Sequence, residues 1–383
     1  MIYFTDMRIL YTASVLSHIC QFHLATMKSL QDKGHEVCVA ARDNLAEKNG
    51  LKLSCCDKYY PIDFQRSPKS RKNFEAYKKL KYLLTNEYFD IIICNTPVVG
   101  VMTRLAAKGT RKKGTKVVYV PHGYHFCKGS SIISWLVYYP IEKILANRYT
   151  DYIITIALED YELTKKRFKT HVDHIFGVGV DPNRYHSWPK EDQLRMRSNE
   201  GLSADDFVIS CTKELMFDNN QKTIISAINQ VKNSIPNIKL ILAGNGPDEE
   251  MLKNLIDSLN LNNSVSLLGY RTDLEMVIPS VDVVVSCSYR EGMPLNIIEA
   301  MLCEKPIIAS HNRGHDELID DGQTGFLINA LDANKLAERI LYLYNNRLES
   351  DKFGKKAYQK AQKYTVDSVV KQMTDIIDKI SKE

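Results

Sequence analysis

Short apolar runs alternate with longer amphipathic ones along the chain, and the alternation restarts halfway. In the first half the pattern predicts a strand over residues 8–14, a helix over 17–33 stopped by Gly34, and a strand over 36–41. Buried strands are expected at 90–94, 116–120 and 152–156, with a helical run over 98–113. The second half gives a strand at 207–211, a helix at 221–234 and a strand at 239–243. The same alternation continues through 248–259, 265–268, 281–286, 295–302 and 306–309. From residue 333 onward the sequence is charged and helical, with no strand candidate. Strands alternating with helices call for parallel sheets covered on both faces. The expected fold is therefore α/β, with two doubly wound, Rossmann-like domains. The first spans 1–180 and the second 203–355. Residues 181–202, holding Pro182, Pro189 and mixed charge, read as a linker, and 356–383 as a helical segment packing back toward the first domain. Open α/β sheets bind ligands at the carboxyl ends of their strands, so a cleft between the two domains is the expected active site.

Composition narrows the class. Of 383 residues, 44% are apolar and 25% charged, enough for two cores and no case for wholesale disorder. Two uncharged stretches invite reading as membrane spans. Residues 9–27 are interrupted by His18, Gln21 and His23, and 129–141 fall short of the about 20 residues a span requires. The apolar run 9–16 leads straight into Ser17-His18, which argues against a secretory signal. Nine scattered cysteines, Cys55-Cys56 among them, read as reduced thiols of a cytoplasmic protein. A disulfide scaffold and an integral membrane protein are excluded on these grounds.

The net charge of +5 hides an asymmetry. Residues 1–180 hold 27 Lys and Arg against 16 Asp and Glu, whereas the remainder holds 24 against 30. Bases gather at Arg66–Lys81, at Arg104–Lys116 and at Lys165–Lys169. Such clusters are either solvated helix faces or a surface that docks on anionic lipid head groups. No nucleic-acid motif accompanies them.

The most informative block runs from Val281 to Met301: a buried strand, a loop holding Glu291, Gly292 and Pro294, then a helix from about Leu295. Proline suits a helix start, and the free N–H groups there with Gly292 suit a phosphate. Glu299 falls in the first turns of that helix, so both carboxylates can face one ligand, one on a sugar ring and one on a ribose. Alternatively Glu299 only complements the helix dipole. Two look-alikes are set aside. His122, His125 and Cys127 lack a standard zinc spacing. Gly244-Asn-Gly246 mimics a dinucleotide loop, but Asp248, Glu249 and Glu250 would repel a pyrophosphate.

This block resembles the donor-site signature of family 4 glycosyltransferases, which have the two-domain GT-B fold. Pro121–Gly129, Tyr138–Glu142, Tyr149–Asp151 and Gly177–Asp181 look like the bacterial exopolysaccharide and capsule branch. So do Ser17-His18, Phe22-His23, Arg66–Pro68, Leu240–Pro247 and Leu268–Asp273. The resemblance implies that Glu291 contacts hydroxyls of the donor sugar and Glu299 the ribose. Gly292, Met293, Pro294 and Leu295 would line the diphosphate and sugar pocket, Tyr270 and Arg271 would border the base, and Gly244 and Lys213 would lie on the donor side. His122 matches the histidine beside the transferred sugar, and His18, Asn95 and Arg66 fall on the acceptor side. No catalytic metal and no cofactor are implied.

Two departures stand out. Where the family carries a lysine five positions after the residue preceding Leu215, this chain has Asn219; Lys213 and Lys222 are nearby candidates to replace it. Where the branch often has His-Thr-Pro, this chain reads Asn95-Thr96-Pro97. The expectation is a retaining, hexosyltransferase-type enzyme using a nucleotide-diphospho sugar, uridine-linked, on a lipid-linked saccharide at the inner face of the plasma membrane. It would work in the cytoplasm, peripheral to an anionic membrane surface and without nucleic acid. The alternative of a different class is a degenerate relative that binds sugar nucleotide or partner enzymes without turnover; an epimerase of the same fold is a third option.

Overall fold

The computed structural model describes residues 6–47 and 50–382 and divides into two compact units. One comprises residues 1–179 with 366–383, the other residues 180–365. The first is built on a parallel sheet of seven strands: β1 (Arg8–Val15), β2 (Glu36–Arg42), β3 (Lys58–Pro61), β4 (Ile91–Asn95), β5 (Lys116–Val120), β6 (Tyr152–Thr155) and β7 (His171–His174). Their order is β3-β2-β1-β4-β5-β6-β7. The second has six: β8 (Phe207–Thr212), β9 (Ile238–Ala243), β10 (Val265–Gly269), β11 (Val283–Ser286), β12 (Ile307–Ser310) and β13 (Gly325–Ile328), ordered β10-β9-β8-β11-β12-β13. Both are α/β doubly wound sheets. In each, the order reverses beside the unit's first strand, between β1 and β4 and between β8 and β11.

The central strands are apolar on both faces because both faces are covered. Along β1, Ile9, Tyr11 and Ala13 enter one core while Leu10 enters the opposite one. The first of these cores is completed by the C-terminal helix Val366–Ile380, which buries Val369, Met373, Ile377 and Ile380. Burial of a side chain of that size contributes about 1.5–3 kcal/mol, so this helix is integral to the first unit.

Three strands were not evident in the hydrophobic pattern: β3, β7 and β13. All three are sheet edges, only four residues long. Lys58–Pro61 and His171–His174 are only half buried, so they lack the apolar run of a central strand. The helix expected over 17–33 is two helices, Leu16–Phe22 and Leu24–Asp32, parted at His23. Residues 181–202, read as a linker, carry the helix Lys190–Asn199 within the second unit. It is pinned by the buried Arg197, whose guanidinium donates to the Ser280 carbonyl (2.7 Å), the Asp206 carbonyl (3.0 Å) and Asp282 (2.8 Å). Of residues 356–383, those up to Ala361 continue the helix Arg347–Ala361 of the second unit, and those from Val366 belong to the first. No helix among the described residues is long and apolar enough to cross a membrane.

Candidate active site

In the second unit the chemistry gathers where the strand order reverses, the position at which open α/β sheets bind ligands. Lys213 follows β8 and Glu291 follows its neighbour β11. The Lys213 Nζ is ion-paired with Glu291 and donates to the Ser288 hydroxyl at 3.1 Å. Ser288 in turn donates to Asn219 Oδ1 at 3.2 Å, and the Asn219 amide donates to the Glu214 carbonyl at 2.8 Å. Asn219 is thus a link in a chain of hydrogen bonds that runs from Lys213 through Ser288 to the Glu214 carbonyl. Lys222, the other candidate cation, is exposed, its ammonium 5.8 Å from the Phe217 ring centroid.

Glycines let the surrounding loops approach. A Cβ on Gly244 would lie 2.1 Å from the Lys213 carbonyl oxygen, and one on Gly246 would lie 2.2 Å from that of Leu215. The loop after β9 is therefore pressed against the Lys213–Leu215 turn, and the Leu215 N–H donates to the Asn245 carbonyl (3.0 Å). Gly292, Met293 and Pro294 continue from Glu291 into the helix Leu295–Leu302. Their loop is backed by Gly314, where a Cβ would meet the Gly292 carbonyl oxygen and the Pro294 ring at 2.8 Å.

Glu299, in the second turn of that helix, has different neighbours. Burial pushes its carboxyl up to about 7, while a hydrogen bond with Tyr185 and the Arg184 guanidinium act in the opposite direction. Arg271 is not grouped with these carboxylates. It forms ion pairs with Asp273 (2.7 Å) and Glu200 (2.9 Å), which raise its pKa. Tyr270 beside it is 68% exposed.

The first unit places a different chemistry at the same topological position. His18 follows β1, Asn95 ends β4, and His122 follows β5. The rings of His18 and His122 are 4.4 Å apart between centroids, and His23 lies 5.4 Å from His18 and 5.5 Å from His122. The break between the two helices falls at His23, whose ring is buried in this cluster beside Tyr11. Burial holds all three imidazoles neutral. His18 is lowered to about 4, with a further contribution from Arg66. His23 and His122 are held well below the usual histidine range by burial and by the neighbouring rings. The Nε2 atoms of all three, and the Tyr11 hydroxyl, have no protein partner.

Asn95 is fully buried with its Oδ1 unpartnered. The next residue, Thr96, has φ 63°, a region costly for a β-branched side chain. It is held by a hydrogen bond between its hydroxyl and that of Ser14 (2.9 Å). Arg66 is exposed in the loop after β3.

The structure does not join His122, His125 and Cys127. His125 is exposed against Tyr138, 4.8 Å between centroids. The set with ligand geometry among the described residues is instead His18, His23 and His122, whose nearest nitrogens lie within 4.8 Å of one another. Three imidazoles are ligands of the type zinc accepts; they equally suit hydroxyl groups, each offering one donor and one acceptor nitrogen when neutral.

Several of these residues escape the sequence reading. Tyr185 and Arg184 lie just beyond the Gly177–Asp181 motif, and only the fold brings them to Glu299. His23 is visible in the Phe22-His23 pair, but a continuous helix gave no reason to turn it inward. The turn after β12 had no signal beyond an Asn before a short helix. There Asn312 caps the helix Arg313–Leu318 and donates to the Ser288 carbonyl (3.0 Å). The buried His315 holds the Ser310 carbonyl through Nδ1 at 2.7 Å.

Comparison with known proteins bears on both units. Residues 24–184 match the family described as Glycosyltransferase Family 4, and residues 192–360 match Glycosyl transferases group 1. The putative glycosyltransferase EpsD of Bacillus subtilis is 38% identical over 371 residues, covering 96% of each chain. The UDP-Gal:alpha-D-GlcNAc-diphosphoundecaprenol alpha-1,3-galactosyltransferase of Escherichia coli is 28% identical over 285 residues, 72% of each chain. Among solved structures, Anabaena HepE in complex with UDP and glucose superimposes with a TM-score of 0.77 at 22% identity, over 98% of this chain and 100% of that one.

Proposed function

The chain belongs to glycosyltransferase family 4 and carries the GT-B fold, and from that premise we propose that it is a retaining hexosyltransferase taking a uridine-diphospho sugar to a lipid-linked saccharide in exopolysaccharide or capsule synthesis. The observation that carries the reading is the Lys213–Glu291 pair at the strand-order reversal of the second unit. Support for the donor and acceptor classes comes from HepE, solved with UDP, and from the Escherichia coli relative, which acts on a diphosphoundecaprenol-linked sugar. The exopolysaccharide and capsule setting rests on the branch resemblance and on EpsD.

In this reaction the bond between the anomeric carbon and the diphosphate oxygen breaks. A bond to the acceptor hydroxyl forms on the same face, and the hydroxyl proton passes to the departing phosphate. Negative charge therefore grows on the diphosphate as the bond lengthens. Lys213 supplies the cation that the Asn219 position lacks, and the N–H groups at the start of Leu295–Leu302 add to it. A charge-assisted hydrogen bond of this kind is worth about 1.5–3 kcal/mol, roughly ten- to hundredfold in rate. Glu291 binds sugar hydroxyls and keeps the Lys213 ammonium in place. Glu299 accepts from the ribose. His122 supports the transferred sugar as a neutral imidazole, and the reaction runs without a metal ion. His18, Asn95 and Arg66 serve the acceptor. The enzyme works in the cytoplasm at the inner membrane face.

The test is nucleotide release across a panel of uridine and guanosine diphospho-sugars, with and without extracted lipid-linked sugars. Release of one nucleotide, suppressed by Glu291→Ala and by His122→Ala and unchanged by EDTA, is the expected result. A second reading, donor binding without turnover, is favoured by one observation: the nearest cation is already neutralised by Glu291. Donor binding with no release from any donor would select it.

A further inference from the structure

His18, His23 and His122 come together in the first unit from three places in the fold. His18 lies in the first turn of the helix Leu16–Phe22, His23 at the break before Leu24–Asp32, and His122 in the loop after β5. The main chain is held on both sides of the break. The His23 N–H donates to the Ile19 carbonyl and the Met27 N–H to the His23 carbonyl, each at 2.9 Å. One nitrogen from each ring lies within 4.8 Å of the other two. The Nε2 atoms of all three are buried and have no protein partner. Buried polar atoms are almost always paired, so three at one place mark a site for something the protein itself does not supply.

The ring positions and the donor set indicate what that is. A zinc ion bound by three imidazoles at about 2.0–2.1 Å, in tetrahedral geometry, holds their ring centres roughly 5 Å apart. Here the separations are 4.4, 5.4 and 5.5 Å, and the plane of His122 crosses those of His18 and His23 at 73° and 87°. The ring centres thus have the spacing of such a site, and closing the nitrogens on an ion calls for rotation of the rings rather than their translation. Three nitrogens with no carboxylate in the set suit zinc and its neighbours cobalt, nickel and copper. They disfavour magnesium and calcium, which take oxygen ligands. We propose that His18, His23 and His122 form a site for a zinc-type divalent ion, and that an ion held there inhibits the enzyme. Three protein ligands leave the fourth position to water. An imidazole whose lone pair is committed to a metal cannot accept from a hydroxyl, so the ion occupies the atoms that serve the sugar and the acceptor. The site is an off-switch for a reaction that itself runs without a metal. The inhibition rests on the reading above; the binding does not.

The experiment uses the full chain stripped with EDTA and dialysed, then titrated with zinc by calorimetry and with cobalt by visible absorption. Three variants accompany it: His18→Gln, His23→Gln and, as a control at an exposed histidine, His125→Gln. The wild type binds one cobalt ion per chain with the ligand-field bands of a four- or five-coordinate nitrogen site. His18→Gln and His23→Gln each weaken zinc binding by about a hundredfold or more, since loss of an outer-shell partner alone costs about 10–100-fold. His125→Gln leaves it unchanged. Zinc raises the thermal unfolding midpoint of the wild type and not of the first two variants. Equal midpoints without zinc verify folding, and if the buried His23→Gln unfolds, His18→Gln and the cobalt spectrum decide. Absence of binding, binding undiminished in the variants, or a thiolate-to-cobalt charge-transfer band, which places the ion on a cysteine, overturns the site. Nucleotide release is measured on the same samples. Zinc suppresses it in the wild type, EDTA restores it, and magnesium has no effect; zinc bound at the three histidines with release undiminished overturns the inhibition. Release without zinc binding removes the metal site and leaves the transferase, and zinc binding without release from any donor does the reverse.

Discussion

The two units share one winding and hold opposite chemistry where their strand order reverses. In the second, Lys213 and Glu291 form an ion pair oriented by Ser288 and Asn219. In the first, the corresponding edge holds three neutral imidazoles and a buried amide, with the three Nε2 atoms and the Asn95 Oδ1 unpartnered. In each unit the winding sets where polar side chains gather, and the side chains set which chemistry is offered there. A diphosphate that gains charge calls for a fixed cation. Sugar hydroxyls call for neutral groups that donate and accept without imposing a charge.

The largest expected effect falls on the charged side. Glu291→Ala frees the Lys213 ammonium and, in the proposed reaction, removes contacts to the sugar, and nucleotide release should fall by about a hundred- to a thousandfold in a steady-state assay. Next is Lys213→Met, which keeps the stem and removes the charge. It should lower kcat by roughly ten- to hundredfold, since the contact strengthens as the bond breaks. Asn219→Ala takes away the acceptor for Ser288 and, with it, the amide that donates to the Glu214 carbonyl; the first bears on Lys213. One neutral hydrogen bond of about 1 kcal/mol corresponds to about fivefold in rate, read in kcat with KM little changed.

The pH response separates the two regions further. In the proposed role Glu299, raised to about 7, accepts from the ribose as a carboxylate, so UDP affinity should rise as pH passes through that value. Glu299→Gln should flatten this dependence in isothermal titrations. The same group bears on stability. Its folded pKa lies above the unfolded carboxylate value, so its contribution is present below the unfolded pKa and is lost as pH rises through about 7. At alkaline pH, Glu299→Gln should therefore raise stability relative to the wild type, by at most about 3 kcal/mol. The smallest effect is expected from the histidines. All three stay neutral across about pH 6 to 8, and their ring resonances should not titrate there.

What was legible in the sequence follows from how strongly each feature is constrained. Central strands such as Ile91–Asn95 and Lys116–Val120 are buried on both faces and announce themselves as apolar runs. The edge strands Lys58–Pro61 and His171–His174 are half buried and carry polar residues, and they do not. The loop from Glu291 to Leu295 was legible because strand, glycine, proline and helix are adjacent in sequence. The Asn219 position read as a loss from sequence alone. Its placement in the chain of hydrogen bonds to Lys213 depends on Ser288, 69 residues away. The pairing of Glu299 with Tyr185 likewise joins distant segments.

The division of labour between the two regions is tested most directly by measuring UDP affinity and turnover side by side on Lys213→Met and His122→Ala. The account predicts that His122→Ala binds UDP within about twofold of the wild type while turnover falls by about a hundredfold or more, and that Lys213→Met weakens UDP binding and lowers turnover by roughly ten- to hundredfold. Loss of UDP affinity in His122→Ala together with unchanged affinity and turnover in Lys213→Met would contradict it.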